Sequence, residues 1–130
     1  MVASPENYEL STEFLDELER RVKDKDSFIK LTNDPKEAVK DADVIYTDTW
    51  ISMGEEEEAE TRRKDFEGFQ VNSKLVSYAK KDVFVMHCLP AHRGEEITDD
   101  VIDGKHSIVY DQAENRLHVQ KALLKLLINR

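Results

Sequence analysis

The chain has 130 residues, of which 39% are hydrophobic and 36% charged, with four glycines and three prolines; this is the composition of a folded, heavily solvated domain and not of a disordered or membrane-embedded chain. A formal net charge of −9 repels a phosphate backbone, and no run of Lys and Arg interleaved with aromatics offsets it, so no nucleic-acid partner is expected. Cys88 is the only cysteine, which excludes an intrachain disulfide framework, and the opening Met1-Val2-Ala3-Ser4-Pro5-Glu6 has neither the basic nor the apolar region of a signal peptide. The sequence reads as one domain spanning residues 1–130, cytoplasmic and with no membrane partner.

In chain order, Ser11 is placed to cap a helix whose Phe14, Leu15, Leu18 and Val22 share one face, with Asp16, Glu17 and Glu19 turned to solvent. Residues 28–32 predict a short strand. Asp34 then caps a second short helix, with Pro35 in its first position and Glu37 completing a capping box. The compact apolar runs 44–47 and 83–86 suit strands buried on both faces, and 108–110 is a weaker third strand. Between the first two, a charged helix over about 55–66 stops near Gly68, and a shorter one follows that Asn72 or Ser73 can cap. The last helix, about 113–128, carries Leu117, Ala122, Leu123, Leu124, Leu126, Leu127 and Ile128, a broad apolar face that asks for a partner surface. This alternation predicts an α/β domain with a mainly parallel sheet, in which ligands bind beyond the carboxyl ends of the strands.

Three polar segments lie at such ends. In the first, residues 47–54, Asp48 offers a carboxylate to an ammonium group, Ser52 donates or accepts, and Gly54 permits positive φ. The same residues also suit an Asp that turns the chain, a Ser that caps the following helix, and packing roles for Trp50 and Met53. In the second, residues 86–94, a thiol, two imidazoles and a guanidinium crowd one turn. His87, Cys88 and His92 lack the paired spacing of a zinc module, so no metal is expected on them, and Cys88 is equally suited to an inert buried thiol and a reactive one. In the third, residues 111–120, Arg116 offers planar donors to a phosphate or carbamoyl oxygen with Glu114 holding it, or forms an ordinary helical ion pair.

Together these segments resemble the ornithine carbamoyltransferase family: the 48–54 loop ending Ser52-Met53-Gly54, the turn His87-Cys88-Leu89-Pro90, and the helix entry Gln112-Ala113-Glu114-Asn115-Arg116, along with Leu31-Thr32-Asn33-Asp34-Pro35. The likeness runs along nearly the whole chain. It implies a three-layer, Rossmann-like α/β domain that binds L-ornithine and works with a separate amino-terminal carbamoyl-phosphate domain, transferring the carbamoyl group to give citrulline and phosphate with no cofactor. By motif, Asp48, Ser52, Met53, Cys88 and Leu89 would contact ornithine, with Asp48 facing its α-amino group. Cys88, Leu89 and Arg116 would meet carbamoyl phosphate, and Cys88 and Asp48 would be the catalytic pair. The resemblance also implies gaps. The Ser-x-Arg-Thr and His-Pro motifs of the partner domain are absent from this sequence, as is the Gly-Asp-Gly-Asn-Asn stretch of the ornithine domain's first strand, loop and helix, so the chain by itself is expected to be inactive. That first strand would lie between the strands at Val2-Ala3 and 44–47, and its loss, with the open face of the last helix, predicts self-association.

Overall fold

The structure is a computed structural model and describes residues 1–22 and 28–128. Strand β1 (Val2–Ala3) precedes helix α1 (Thr12–Arg21), where the Ser11 side chain accepts a hydrogen bond from the Phe14 amide, as its position predicts. The apolar face of α1 is present but unburied: none of its residues is buried and Phe14 is half exposed. Strand β2 is shorter than expected, only Leu31–Thr32, and pairs in parallel with β1. Helix α2 (Pro35–Val39) is capped by Asp34, which accepts from the Lys36 amide. The capping box does not form, because Glu37 turns away to accept from Lys30 Nζ and Thr32 Oγ1. A charged partner within reach outcompetes the cap's own amide.

Strand β3 (Val44–Thr47) is followed by a 3-10 turn at Glu56–Glu58, helix α3 (Ala59–Asp65), helix α4 (Ser73–Val76) and strand β4 (Phe84–His87). Parallel neighbours require a crossover of this kind. Gly68, at φ +98°, ends the α3 turn as the sequence predicts, and Asn72, not Ser73, caps α4 by accepting from the Leu75 amide. The β3–β4 register sets Val44 opposite Phe84 and Thr47 opposite His87.

These strands were expected to be covered on both faces, and they are not. Ile45, Val85 and His87 point inward, while Val44, Tyr46 and Phe84 stand about half exposed on the other face, an alternation dictated by the two-residue period of a strand. On the inner side Val85 and Ile97 are fully buried and pack with Leu75, Val101 of helix α5 (Asp99–Ile102) and Val109.

The third strand expected at 108–110 does not form. Val85 makes a single parallel bridge to Ser107, its amide donating to His106 O and its carbonyl accepting from the Ile108 amide, and helix α6 (Val109–Ile128) starts at once, four residues earlier than the 113–128 helix expected from sequence. The short apolar run satisfies its packing by presenting Val109 to the core from the first turn of a helix, so an extended conformation has nothing to add.

The described strands make two separate parallel pairs, β1–β2 and β3–β4. Between them is an open cavity of about 480 Å³ lined by Val2, Ala3, Val44, Tyr46, Trp50 and Val71, among others. It lies where the family resemblance puts a missing central strand. Among the described residues no helix is long and apolar enough to cross a membrane.

Candidate functional site

Because β3 and β4 are parallel and in register, the loops after Thr47 and His87 leave the same edge of the sheet. This brings together two side chains forty positions apart: the Cys88 thiol donates to Asp48 Oδ1 at 2.6 Å. The same carboxylate oxygen accepts from the Thr49 amide at 2.7 Å, which turns the chain back over the strand end. Burial pushes the Cys88 thiol up, the Asp48 hydrogen bond and negative charge push it further, and it titrates at about 11. At neutral pH Cys88 is therefore a thiol, with its proton directed at Asp48.

Behind Cys88 stands a buried pair that the sequence reading did not assemble. His87 and Glu96 are both almost completely buried, with His87 Nε2 3.0 Å from Glu96 Oε1. His87 Nδ1 accepts from the Leu89 amide at 2.8 Å, so Nε2 carries the ring proton and donates it to Glu96. This fixes the imidazole plane and, through the Leu89 amide, the backbone that carries Cys88. Leu89 itself sits at φ +53°, an uncommon conformation for a branched residue, and is followed by a cis peptide to Pro90. Glu96 also accepts from the His92 amide, which closes the turn from the other side. Only a pattern of buried carboxyl after a His-Cys turn could have flagged Glu96, and one sequence cannot supply it.

The 47–54 loop is held from beneath. Arg62 donates to Glu55 Oε1 at 2.8 Å and to Trp50 O at 3.5 Å, and lies over the Tyr8 ring, while Trp50 stacks on Phe66. Ser52 does not cap the following helix with its side chain; its amide donates to Glu55 Oε2. Gly54 takes φ +93°, as expected of the one residue there without a Cβ. Met53 is 98% exposed, so the packing alternative for it is wrong in this chain. Trp50, by contrast, does pack.

The third segment reaches the site only through its first residues. Gln112 Oε1 accepts from the His87 amide at 3.2 Å and its Nε2 donates to the Tyr46 hydroxyl at 3.3 Å, tying α6 to both strands. Arg116 is exposed one turn further on, with no ion pair or hydrogen bond among the described residues. Glu114, expected to hold Arg116, bonds His118 at 3.2 Å instead, a same-face i,i+4 partner. Asp48, Cys88 and Leu89 are thus brought together, Ser52 and Met53 lie further along the same loop, and Arg116 stands apart.

An α/β domain that gathers an acid, a thiol and a positioned imidazole at the carboxyl ends of parallel strands has the layout of a small-molecule enzyme domain. The profile described as "Aspartate/ornithine carbamoyltransferase, Asp/Orn binding domain" matches residues 1–127, and the chain belongs to this family. The ornithine carbamoyltransferase of Archaeoglobus fulgidus is 57% identical over 128 residues, which is 98% of this chain and 40% of that protein. Among solved structures, the anabolic ornithine carbamoyltransferase of Campylobacter jejuni is 44% identical with a TM-score of 0.90, over 98% of this chain and 42% of that one. The enzyme from Pyrococcus furiosus is 70% identical with a TM-score of 0.67, over 72% of this chain and 30% of its own. The α/β, Rossmann-like fold is thereby shown, and the chain spans about 40% of the length of the curated relatives it matches.

Proposed function

We propose that the chain supplies the ornithine side of a carbamoyltransferase site: Asp48 binds the α-ammonium of L-ornithine, Ser52, Met53 and Leu89 line its length, Cys88 lies between the substrates, and Arg116 meets carbamoyl phosphate from α6. The reaction forms a bond from the side-chain nitrogen to the carbamoyl carbon, breaks that carbon's bond to the phosphate oxygen, releases phosphate and sheds one amine proton. The observation that supports this reading is the 2.6 Å contact between the half-buried Cys88 and the exposed Asp48 at the carboxyl end of the sheet, where a polar ligand would meet both. A thiol that titrates near 11 orients the amine and does not take its proton. Catalysis also needs both reactants in near-attack geometry, worth roughly 7–11 kcal/mol of barrier, and this chain offers one side only. The 130 residues alone are therefore inactive and bind ornithine weakly. Adding the carbamoyl-phosphate domain of a relative should restore citrulline formation, and Asp48→Ala should remove it. Turnover by the chain alone would sink the proposal, and a preference for putrescine would favour a carbamoyltransferase acting on another amine. Failure of every amine would leave a noncatalytic α/β interaction module.

We also infer that a second copy of the chain occupies its open surfaces. The 480 Å³ cavity between β1 and β3 presents strand edges, and α6 leaves Leu117, Leu124 and Leu127 more than half exposed, both adhesive features. Sedimentation across a wide concentration range should reveal dimers or larger species, and a strictly monomeric chain would refute this. A reducing, cytoplasmic setting suits the lone Cys88.

A further inference from the structure

Glu96 carries more than its bond to His87. The residue is fully buried, and its Oε1 accepts from both His87 Nε2 at 3.0 Å and the His92 amide at 2.6 Å. Its Oε2 is equally buried and has no hydrogen-bond partner among the described residues. An orphaned buried acceptor bears the full cost of losing water. Protonating Oε2 does not remedy it, since the added hydrogen would meet no acceptor. What faces Oε2 is the His92 ring, with Nδ1 at 3.8 Å, too far for a hydrogen bond. Glu95 stands beside it, and one donor atom from each of His92, Glu95 and Glu96 lies within 4.8 Å of the others.

We propose that His92, Glu95 and Glu96 form a binding site for a divalent transition-metal cation of the zinc type. Imidazole nitrogen with carboxylate oxygens is a donor set that suits such an ion, and three protein ligands leave a position for water. Glu96 Oε2 forms the buried floor, and His92 and Glu95, with side chains 49% and 27% exposed, form a rim open to solvent. Ligand distances of about 2.0–2.2 Å require the three donors to draw in from separations of up to 4.8 Å, by movement of the two rim side chains. Arg63 Nε, 3.1 Å from Glu95 Oε1, steadies that carboxylate from outside. Coordination through His92 Nδ1 gives up its 2.9 Å hydrogen bond with Thr49 Oγ1. That bond joins the Asp48 loop to the Cys88 turn, so the ion would sit at a tether of the site without touching Asp48 or Cys88. The sequence reading dismissed a metal on His87, Cys88 and His92. The set proposed here shares only His92 with it, and does not depend on the carbamoyltransferase reading.

The test uses the full chain, stripped with chelator and titrated with Zn²⁺ by calorimetry and with Co²⁺ by visible absorption. Expected are one ion per chain, d–d bands without a sulfur-to-cobalt charge-transfer band, and affinity weakened at least tenfold in both His92→Ala and Glu95→Gln. The variants change an exposed and a partly exposed rim side chain, and circular dichroism would verify that they fold. Absence of saturable binding, unchanged affinity in either variant, or a charge-transfer band that vanishes in Cys88→Ser would overturn the proposal.

Discussion

The apolar side chains around β4 and those along α6 have opposite fates. Val85, Ile97 and Val109 are fully buried, sealed by α4, α5 and the first turn of α6. Further along, the same helix exposes Leu117, Leu123, Leu124, Leu126, Leu127 and Ile128, each by more than half. The leucine-rich stretch is strongly apolar, yet it is left in water. Apolar content creates a demand for burial, and only a facing layer meets it. Around β4 the chain supplies that layer from three elements close in space; beyond Gln112 it supplies none among the described residues.

The largest effects should fall on the buried side of this contrast. His87→Ala removes one partner of a buried pair and leaves Glu96 with one donor fewer, and should cost about 3–5 kcal/mol in urea unfolding. A loss below about 1 kcal/mol would mean water reaches Glu96 freely. Ile97→Ala should cost about 2–5 kcal/mol by the lost burial and the cavity it leaves. On the other side, Leu124→Ala should change the stability of the dispersed chain by no more than about 0.5 kcal/mol while weakening its association. A penalty like that of Ile97 would show that α6 is packed within the monomer.

Cys88 lies on the boundary between the two regions, and its chemistry reports which side it belongs to. With a pKa of about 11, only roughly one thiol in 10⁴ is ionised at pH 7. Alkylation by iodoacetamide should therefore be slow and climb about tenfold per pH unit until near that value. Asp48→Asn removes both the accepting carboxylate and its charge, so the midpoint should move down and neutral-pH alkylation should quicken. A profile that levels off near an ordinary thiol value would deny the Asp48 contact. The sign for stability follows: the fold favours the protonated thiol, so this contribution is intact below about pH 9 and is lost as pH rises through 11.

Local rules were legible where neighbours in sequence decide the outcome. Ser11, Asp34 and Asn72 cap their helices because a short polar side chain before a helix meets an amide two or three residues on, whatever the rest of the chain does. Gly54 and Gly68 take positive φ for an equally local reason, and the family motifs point to Asp48, Cys88 and Leu89. Competition between distant groups was not legible. Glu37 abandoned its capping box for Lys30, and the run at 108–110 entered a helix because Val85 offered one bridge and the core needed Val109. Glu96 is the clearest case. Nothing beside it in the chain distinguishes it from the exposed acids Glu56, Glu57 and Glu58, yet folding buries it against His87 and leaves one oxygen without a donor among the described residues. Residue types and spacing carry the chemistry a side chain can perform and the turns it can make. Which charge loses its water, and what stands opposite when it does, is set by the packing of segments far apart in sequence, because desolvation is a property of the whole surrounding shell.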